Sequence, residues 1–275
     1  MSTDIRSALN SGLHNPERLW GTRIERVRAL QDKQPAFAAV LHFYETTLEF
    51  QRELALGSRP ALDLGLPLRE QIDLSFACSK LPSILAVAVR HGPEALRVRA
   101  RTLQAEGEAT WRRLLESALQ PAESGRSAVN DFFARACLQP IAENLQCQLP
   151  KDSIYTSSVC PACGGLPQLT VLRPEGEGAS RWLMCAFCLR EWPFRRIICP
   201  GCGEEDKEKL PRYSAEECDY VHVEACETCK RYLKAVDMTV NGLAVPLIDE
   251  VALAVLDIWA GEHGYSKVIR NLIGL

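Results

Sequence analysis

Long uncharged apolar runs are missing from this chain. No stretch reaches the roughly 18 residues that a membrane-spanning helix needs. The nearest approaches are 81–89, which is short and contains Pro82, and 243–260, which is interrupted by Asp249, Glu250 and Asp257. Membrane insertion is therefore not expected. The opening residues offer no apolar segment suited to a secretory signal, so export by that route is not expected either. Charge of one sign is equally scarce. The net charge is −3, with 18 basic and 17 acidic side chains in 1–150, 12 and 14 in 151–240, and 2 and 4 in 241–275. A broadly cationic nucleic-acid binder is disfavoured on that count. Phosphate-binding G-x-x-x-x-G-K-[ST] loops, G-x-G-x-x-G turns and G-x-S-x-G elbows are absent. His14, His42, His91, His222 and His263 show no H-x-x-x-H or triad-like grouping. No catalyst is legible, and an enzyme is not expected.

What is present is the composition of an ordinary globular protein, 47 % hydrophobic and 24 % charged, over 275 residues. Residues 1–150 read as a helical domain. Leu19, Ile24, Val27 and Leu30 repeat at helical spacing after Pro16, and a second helix enters at Pro35 and leaves at Gly57. A third helical region, 68–92, is expected to bend or break before Pro82. The stretch 93–119 follows, with Leu96, Leu103, Trp111, Leu114 and Leu115 as core contacts. From 127 to 146 the helical period runs on through Pro140, which predicts one kinked helix rather than two. Beyond Pro150 the periodicity fades, and 181–185, 191–199, 220–226 and 231–238 read as short strands. Residues 243–275 return to helix, with Val251, Val255, Ile258 and Trp259 as the apolar face and Gly261 as a stop.

Of twelve cysteines, eight stand as four C-x-x-C pairs between 160 and 229. Without an export signal the expected location is cytoplasmic, and in that reducing compartment such pairs suit metal or redox chemistry better than disulfides. Two thiolates two residues apart bind one cation from a single tight turn, and two such knuckles complete a tetrahedral S₄ site for zinc or iron. Gly164 and Gly203 follow the first and third pairs, whereas Leu189 and Lys230 follow the second and fourth. The stretches 160–194 and 199–235 each open with C-P-x-C-G and close with a glycine-less pair, 21 residues apart in the first and 23 in the second. This is a tandem duplication, with Cys160, Cys163, Cys185 and Cys188 as one candidate metal site and Cys199, Cys202, Cys226 and Cys229 as the other. An interleaved pairing is the less favoured alternative. A closed S₄ shell leaves no position for water, which disfavours a hydrolytic centre, although tetrathiolate iron could pass one electron.

The fold class that follows is α+β. A mainly helical N-terminal domain (1–150) precedes two metal modules of the zinc-ribbon kind (151–196 and 197–242), and a C-terminal helix (243–275) packs back on the body. Cys78 and Cys137 lie on apolar helical faces and read as inert core. Cys147 and Cys218 lack a regular partner spacing, and His222 reads as an exposed strand residue.

Several segments in order, 130–145 (NDFFARACLQPIAENL), 160–169 (CPACGGLPQL), 185–203 (CAFCLREWPFRRIICPGCG), 226–238 (CETCKRYLKAVDM) and 247–267 (LIDEVALAVLDIWAGEHGYSK), resemble the formate dehydrogenase accessory protein family, FdhE-type. The resemblance implies a helical domain followed by two rubredoxin-like modules, and it tilts the metal toward iron, one ion per site, with zinc as the alternative. It also implies a cytoplasmic assembly factor that binds the catalytic subunit of a molybdenum- or tungsten-dependent formate dehydrogenase. Lys230 departs from the pattern, since some relatives carry glycine there. Phe132, Phe133, Arg135 and Gln139 are candidates for the helical domain's junction or for a partner surface, with plain core packing as the competing role for the phenylalanines. Two other readings remain open at this point: a redox protein, and a zinc-ribbon interaction or nucleic-acid-binding module in which Trp182 and Trp192 stack on bases. Whether the chain forms a homodimer is also left open.

Overall fold

The computed structural model describes residues 15–120, 127–150, 157–215 and 219–274. His14 and Cys218 lie outside the described residues.

The Asn15 side chain caps α1 (Pro16–Gln31) by accepting from the Arg18 amide, and Pro16 sits in the first turn, where an amide would be unpaired anyway. A short 3₁₀ turn at Pro35–Phe37 leads into α2 (Ala38–Gly57). Trp20, Ile24, Val27 and Leu30 of α1 enter one core with Leu41, Tyr44 and Leu48 of α2. Helix α3 (Leu74–His91) is capped by Asp73, which accepts from the Phe76 amide at 2.9 Å. The break expected before Pro82 does not occur. Pro82 points to water, while Leu81, Ile84 and Leu85 are buried on the opposite face, so packing holds the helix together past the missing amide. The stretch after it divides instead at Gly107, whose φ of 77° ends α4 (Glu94–Glu106) and starts α5 (Glu108–Leu119). Helix α6 (Ala128–Gln146) runs unbroken through Pro140 at the centre of the helical region: every residue from Phe132 to Leu145 is buried.

The rest of the chain is organised on one seven-stranded sheet. Its strands are β1 (Pro167–Glu175), β2 (Gly178–Cys185), β3 (Glu191–Pro193), β4 (Arg212–Ser214), β5 (Val221–Ala225), β6 (Arg231–Asp237) and β7 (Ser266–Lys267). Their order is β3-β2-β1-β6-β5-β4, with β7 beside β6. The duplicated halves are antiparallel sets, β3-β2-β1 and β6-β5-β4, joined by parallel pairing of β1 with β6 in the register Leu169↔Lys234 to Leu172↔Asp237. The long strand β1, now central, carries no alternation that a sequence reading detects, because Pro167 to Leu172 are all buried.

The C-terminal segment forms two short helices, α7 (Pro246–Ala252) and α8 (Val255–Glu262), broken at Leu253 (φ −101°, ψ 47°). The break re-phases the second helix and corrects the expected apolar face. Val251 is buried, but Val255 and Ile258 are 45 % and 52 % exposed and Trp259 is half-buried; Ile248, Ala252, Leu256 and Ala260 turn inward instead. The architecture is therefore α+β, a helical region followed by a sheet region that carries two four-cysteine clusters.

Candidate metal centres

Each duplicated half gathers its own four cysteines. Cys160, Cys163, Cys185 and Cys188 form one cluster, and Cys199, Cys202, Cys226 and Cys229 the other, with all four sulfurs of each within 4.8 Å of one another. The pairing is sequential within each half, not interleaved. Sulfur–sulfur distances are 3.6 Å for Cys160–Cys188 and 3.4 Å for Cys163–Cys185, and 3.7 Å for both Cys199–Cys229 and Cys202–Cys226. A tetrahedron with metal–sulfur bonds of about 2.3 Å has edges of about 3.8 Å, whereas a disulfide would bring two sulfurs to about 2.05 Å. The spacing fits a thiolate-bound ion and does not fit a disulfide.

The backbone produces this geometry four times over. In every knuckle the amide of the first cysteine donates to the carbonyl five residues on: Cys160 to Gly165, Cys185 to Arg190, Cys199 to Glu204 and Cys226 to Arg231, all at 2.8–2.9 Å. The residue after the second cysteine takes a left-handed conformation in each: Gly164 (φ 69°), Leu189 (57°), Gly203 (80°) and Lys230 (56°). Leucine and lysine hold this conformation against a cost of about 1 kcal/mol or more, so the turn is imposed by its closure and not by glycine. Glycine is needed for space one residue later in the first knuckle. A Cβ on Gly165 would stand 2.9 Å from the Cys185 sulfur. Amides also point at the sulfurs, Phe187 at Cys185 and Gly201 at Cys199, each at 3.3 Å.

The two clusters differ in their surroundings. Cys160, Cys185 and Cys188 are buried and Cys163 is half-buried. The helical domain grips this cluster through the residues between its second pair. The Ala186 carbonyl accepts from Arg135 (2.8 Å) and Gln139 (3.0 Å) of α6. Arg69 lies over the Phe187 ring at 4.1 Å, donates to the Cys163 carbonyl at 2.8 Å, and also bonds the last carbonyls of α5, from Ala118 to Gln120. Arg190 donates to the carbonyls of Gln146 and Pro150. In the second cluster Cys202 is exposed and Cys229 half-buried. Arg181 of β2 braces its far side by pairing with Glu224 of β5 at 2.7 Å and donating to the Arg195 and Ile198 carbonyls. Burial would raise the Glu224 carboxyl, but Arg181 and His222 hold it well below the usual range.

Thiols this close do not release protons independently. In the first cluster, sulfur hydrogen bonds led by Cys160 pull Cys163 well below an ordinary thiol, while burial pushes Cys185 and Cys188 well above it. A soft cation that draws the sulfurs together displaces these protons, so binding there is proton-coupled.

Other sequence-level candidates resolve into packing. Phe132 and Phe133 are buried and stack edge-on at 5.1 Å. Arg135 and Gln139 form the junction, not an outer surface: Arg135 also donates to the Arg270 carbonyl (2.9 Å) and to Gln168. His222 is buried rather than exposed, because β5 lies inside the sheet; its Nε2 accepts from Arg212 and stands 3.7 Å from Glu224. Trp192 is buried and donates to the Ser157 carbonyl, which removes it as a base-stacking platform. Cys78 and Cys137 are buried, and burial raises both thiols; Cys147 is half-buried and accepts from Gln146.

Sequence reading missed the charges that tie the C-terminal helices down. Asp249 and Glu250, seen there only as interruptions of an apolar run, are fully buried. Asp249 takes a forked contact from Arg26 of α1 and a hydrogen bond from Tyr220 at 2.8 Å. Glu250 faces Lys234 of β6 at 3.1 Å, Lys267 of β7, and the Asn271 amide at 2.8 Å. Burial would raise the Glu250 carboxyl, but the two ammonium groups bring it down to about 2. Asp257 pairs with the same two lysines and accepts from Tyr232 at 2.7 Å. Arg23 and Glu143 form a further buried ion pair, bidentate at 2.8 and 2.5 Å, between α1 and α6.

Known proteins resemble this chain. Residues 159–196 match the model of the FdhE central domain, and residues 197–273 that of the FdhE C-terminal domain. The chain is similar to the FdhE homolog of Aquifex aeolicus, 27 % identical over 91 % of this chain and 94 % of that one. It is also 28 % identical to the FdhE homolog of Edwardsiella ictaluri, over 94 % of this chain and 89 % of the relative. The crystal structure of the FdhE protein from Pseudomonas aeruginosa superposes with a TM-score of 0.73 at 23 % identity, covering 95 % of this chain and 97 % of that one, and so shares the fold. With both domain models matched in order over 159–273 and the relatives aligned along nearly their whole length, the chain is FdhE-type.

Proposed function

We propose that this FdhE-type protein is a cytoplasmic accessory factor that binds the catalytic subunit of a formate dehydrogenase and supports its maturation, without turnover of its own. Cys160, Cys163, Cys185 and Cys188 hold one metal ion, and Cys199, Cys202, Cys226 and Cys229 a second; iron is the ion, with zinc as the alternative. The observation that carries the reading is the pair of four-sulfur clusters, each with all sulfurs within 4.8 Å and two contacts of 3.4–3.7 Å, on an FdhE-type chain. Four protein thiolates fill a tetrahedral ion's coordination, which suits a structural or electron-passing ion rather than a hydrolytic one. The ion's contribution is to close each pair of knuckles. The chain's own residues do the rest: Arg135, Gln139 and Arg69 lock the first cluster to the helices, and Arg181 with Glu224 braces the second. No helix among the described residues is long and apolar enough to cross a membrane.

The test is anaerobic co-purification of the tagged, full-length chain with a formate dehydrogenase catalytic subunit, with metal analysis on the same sample. Capture of the subunit and close to two ions per chain are expected. Failure to capture it, with both ions in place, overturns the accessory reading; a metal-free native protein overturns the assignment of the cysteines.

A further inference from the structure

The two halves of the sheet region are built alike but covered differently. In the first, Arg190 stands two residues after the last cysteine, and its guanidinium is spent on the Gln146 and Pro150 carbonyls, where the helical domain leaves its last helix. Arg231 occupies the same place in the second half, and its carbonyl closes the same turn on Cys226 that Arg190 closes on Cys185. Yet Arg231 is an exposed residue, as is Arg196, and neither side chain makes a hydrogen bond or ion pair among the described residues. Where Arg69, Arg135 and Gln139 cover the first cluster, the second leaves Cys202 exposed.

Arg196, Arg212 and Arg231 border an open cleft of about 60 Å³ beside this cluster, with Ile198, Leu210 and Leu233 more deeply set among its walls. Arg181 and Glu224 also line it and pair with each other, and Cys199 and Cys226 of the second cluster stand at its edge. Four guanidinium groups face one carboxylate there, and a divalent ion on the four thiolates of the neighbouring cluster would add a net two negative charges, so the hollow keeps a local cationic excess that the chain's net charge of −3 hides. Guanidinium forks match carboxylates in paired hydrogen bonds, and the apolar wall offers a free inorganic anion nothing.

We infer that this cleft docks an acidic, extended segment of a partner protein, with carboxylates held by Arg196 and Arg231 and an apolar side chain seated against Ile198, Leu210 and Leu233. The partner then covers the second cluster as the chain's own helices cover the first. This rests on the accessory-factor reading and adds the chemistry by which the partner is recognised.

The test uses the full-length, metal-loaded chain and a fluorescent octapeptide alternating glutamate with leucine, followed by anisotropy. The double variant R196Q/R231Q is expected to bind it at least about tenfold more weakly, as loss of two charge-assisted contacts implies. The variant R195Q removes an equally exposed charge that is paired with Glu205, outside the cleft, and is expected to bind as the parent does. An alternating lysine–leucine peptide is expected not to bind, and millimolar phosphate not to displace the acidic one. Unchanged binding in the double variant overturns the inference, including the case in which that variant loses only metal because the arginines merely balance the thiolates. Equal weakening in R195Q, or displacement by phosphate, overturns it as well. Capture of the catalytic subunit is followed in parallel. Capture that survives R196Q/R231Q sinks the cleft and leaves the accessory reading standing, whereas a parent chain that captures nothing sinks that reading even if the peptide binds.

Discussion

Replacing Glu250 by Gln tests how the C-terminal helices are held to the sheet that carries the second cluster. Glu250 and Asp257 face Lys234 and Lys267 in a four-charge group that is neutral as a whole, and Lys234 is wholly buried in the register opposite Leu169. The variant keeps the shape and removes one negative charge, leaving two buried ammonium groups to one carboxylate. Breaking a buried pair costs about 3–5 kcal/mol, and Asp257 and the Leu253 carbonyl, which stay in place, favour the lower end. A loss of about 3 kcal/mol lowers the melting temperature of a chain of this size by about 6–12 °C. Urea unfolding of metal-loaded protein, followed by far-ultraviolet circular dichroism, measures it, with the exposed Glu262→Gln as a control expected to change nothing. The double variant K234M/E250Q removes both charges and is expected to recover part of the loss. The sign with pH is also determined. Because the folded carboxyl lies near 2 and below its ordinary 4.5, its contribution is complete above about pH 4.5 and is lost as pH falls toward 2, so parent and variant converge across that window. A loss below about 1 kcal/mol, or a gap that widens on acidification, refutes the ion-pair account.

Two further outcomes are expected. Metal transfer from the loaded chain to a coloured chelator is biphasic, with the second cluster, where Cys202 is exposed, at least about tenfold faster than the first, whose release requires the helical contact to open; a single phase, or a fast phase that survives Cys202→Ser, contradicts this. Arg135→Ala removes the donor to the Ala186, Arg270 and Asn271 carbonyls and is expected to cost about 3 kcal/mol and to speed metal loss from the first cluster, with Arg135→Lys restoring part of both; unchanged chelation kinetics would show that α6 does not support the knuckle.

Local features were legible in the residues alone: the helices that open at Pro16 and Pro35, the unbroken period through Pro140, and the grouping of eight cysteines into two fours. These are legible because each depends on near neighbours. A knuckle closes within six residues, and a helical face repeats every few positions. Leu189 and Lys230 show where even this local logic stops, since both adopt the left-handed turn that residue type alone assigns to glycine. Long-range packing settled the rest. It joined the two halves into one sheet through β1 and β6, kept α3 whole through Pro82, buried His222, and turned Asp249 and Glu250 from interruptions of an apolar run into the ties of the C-terminal segment. It also covered one cluster with helices and left the other open beside unpaired arginines. The physical reason is the same in each case. Whether a charge, a proline or a thiol is tolerated depends on what lies across from it, and those partners stand up to 223 positions away in the chain.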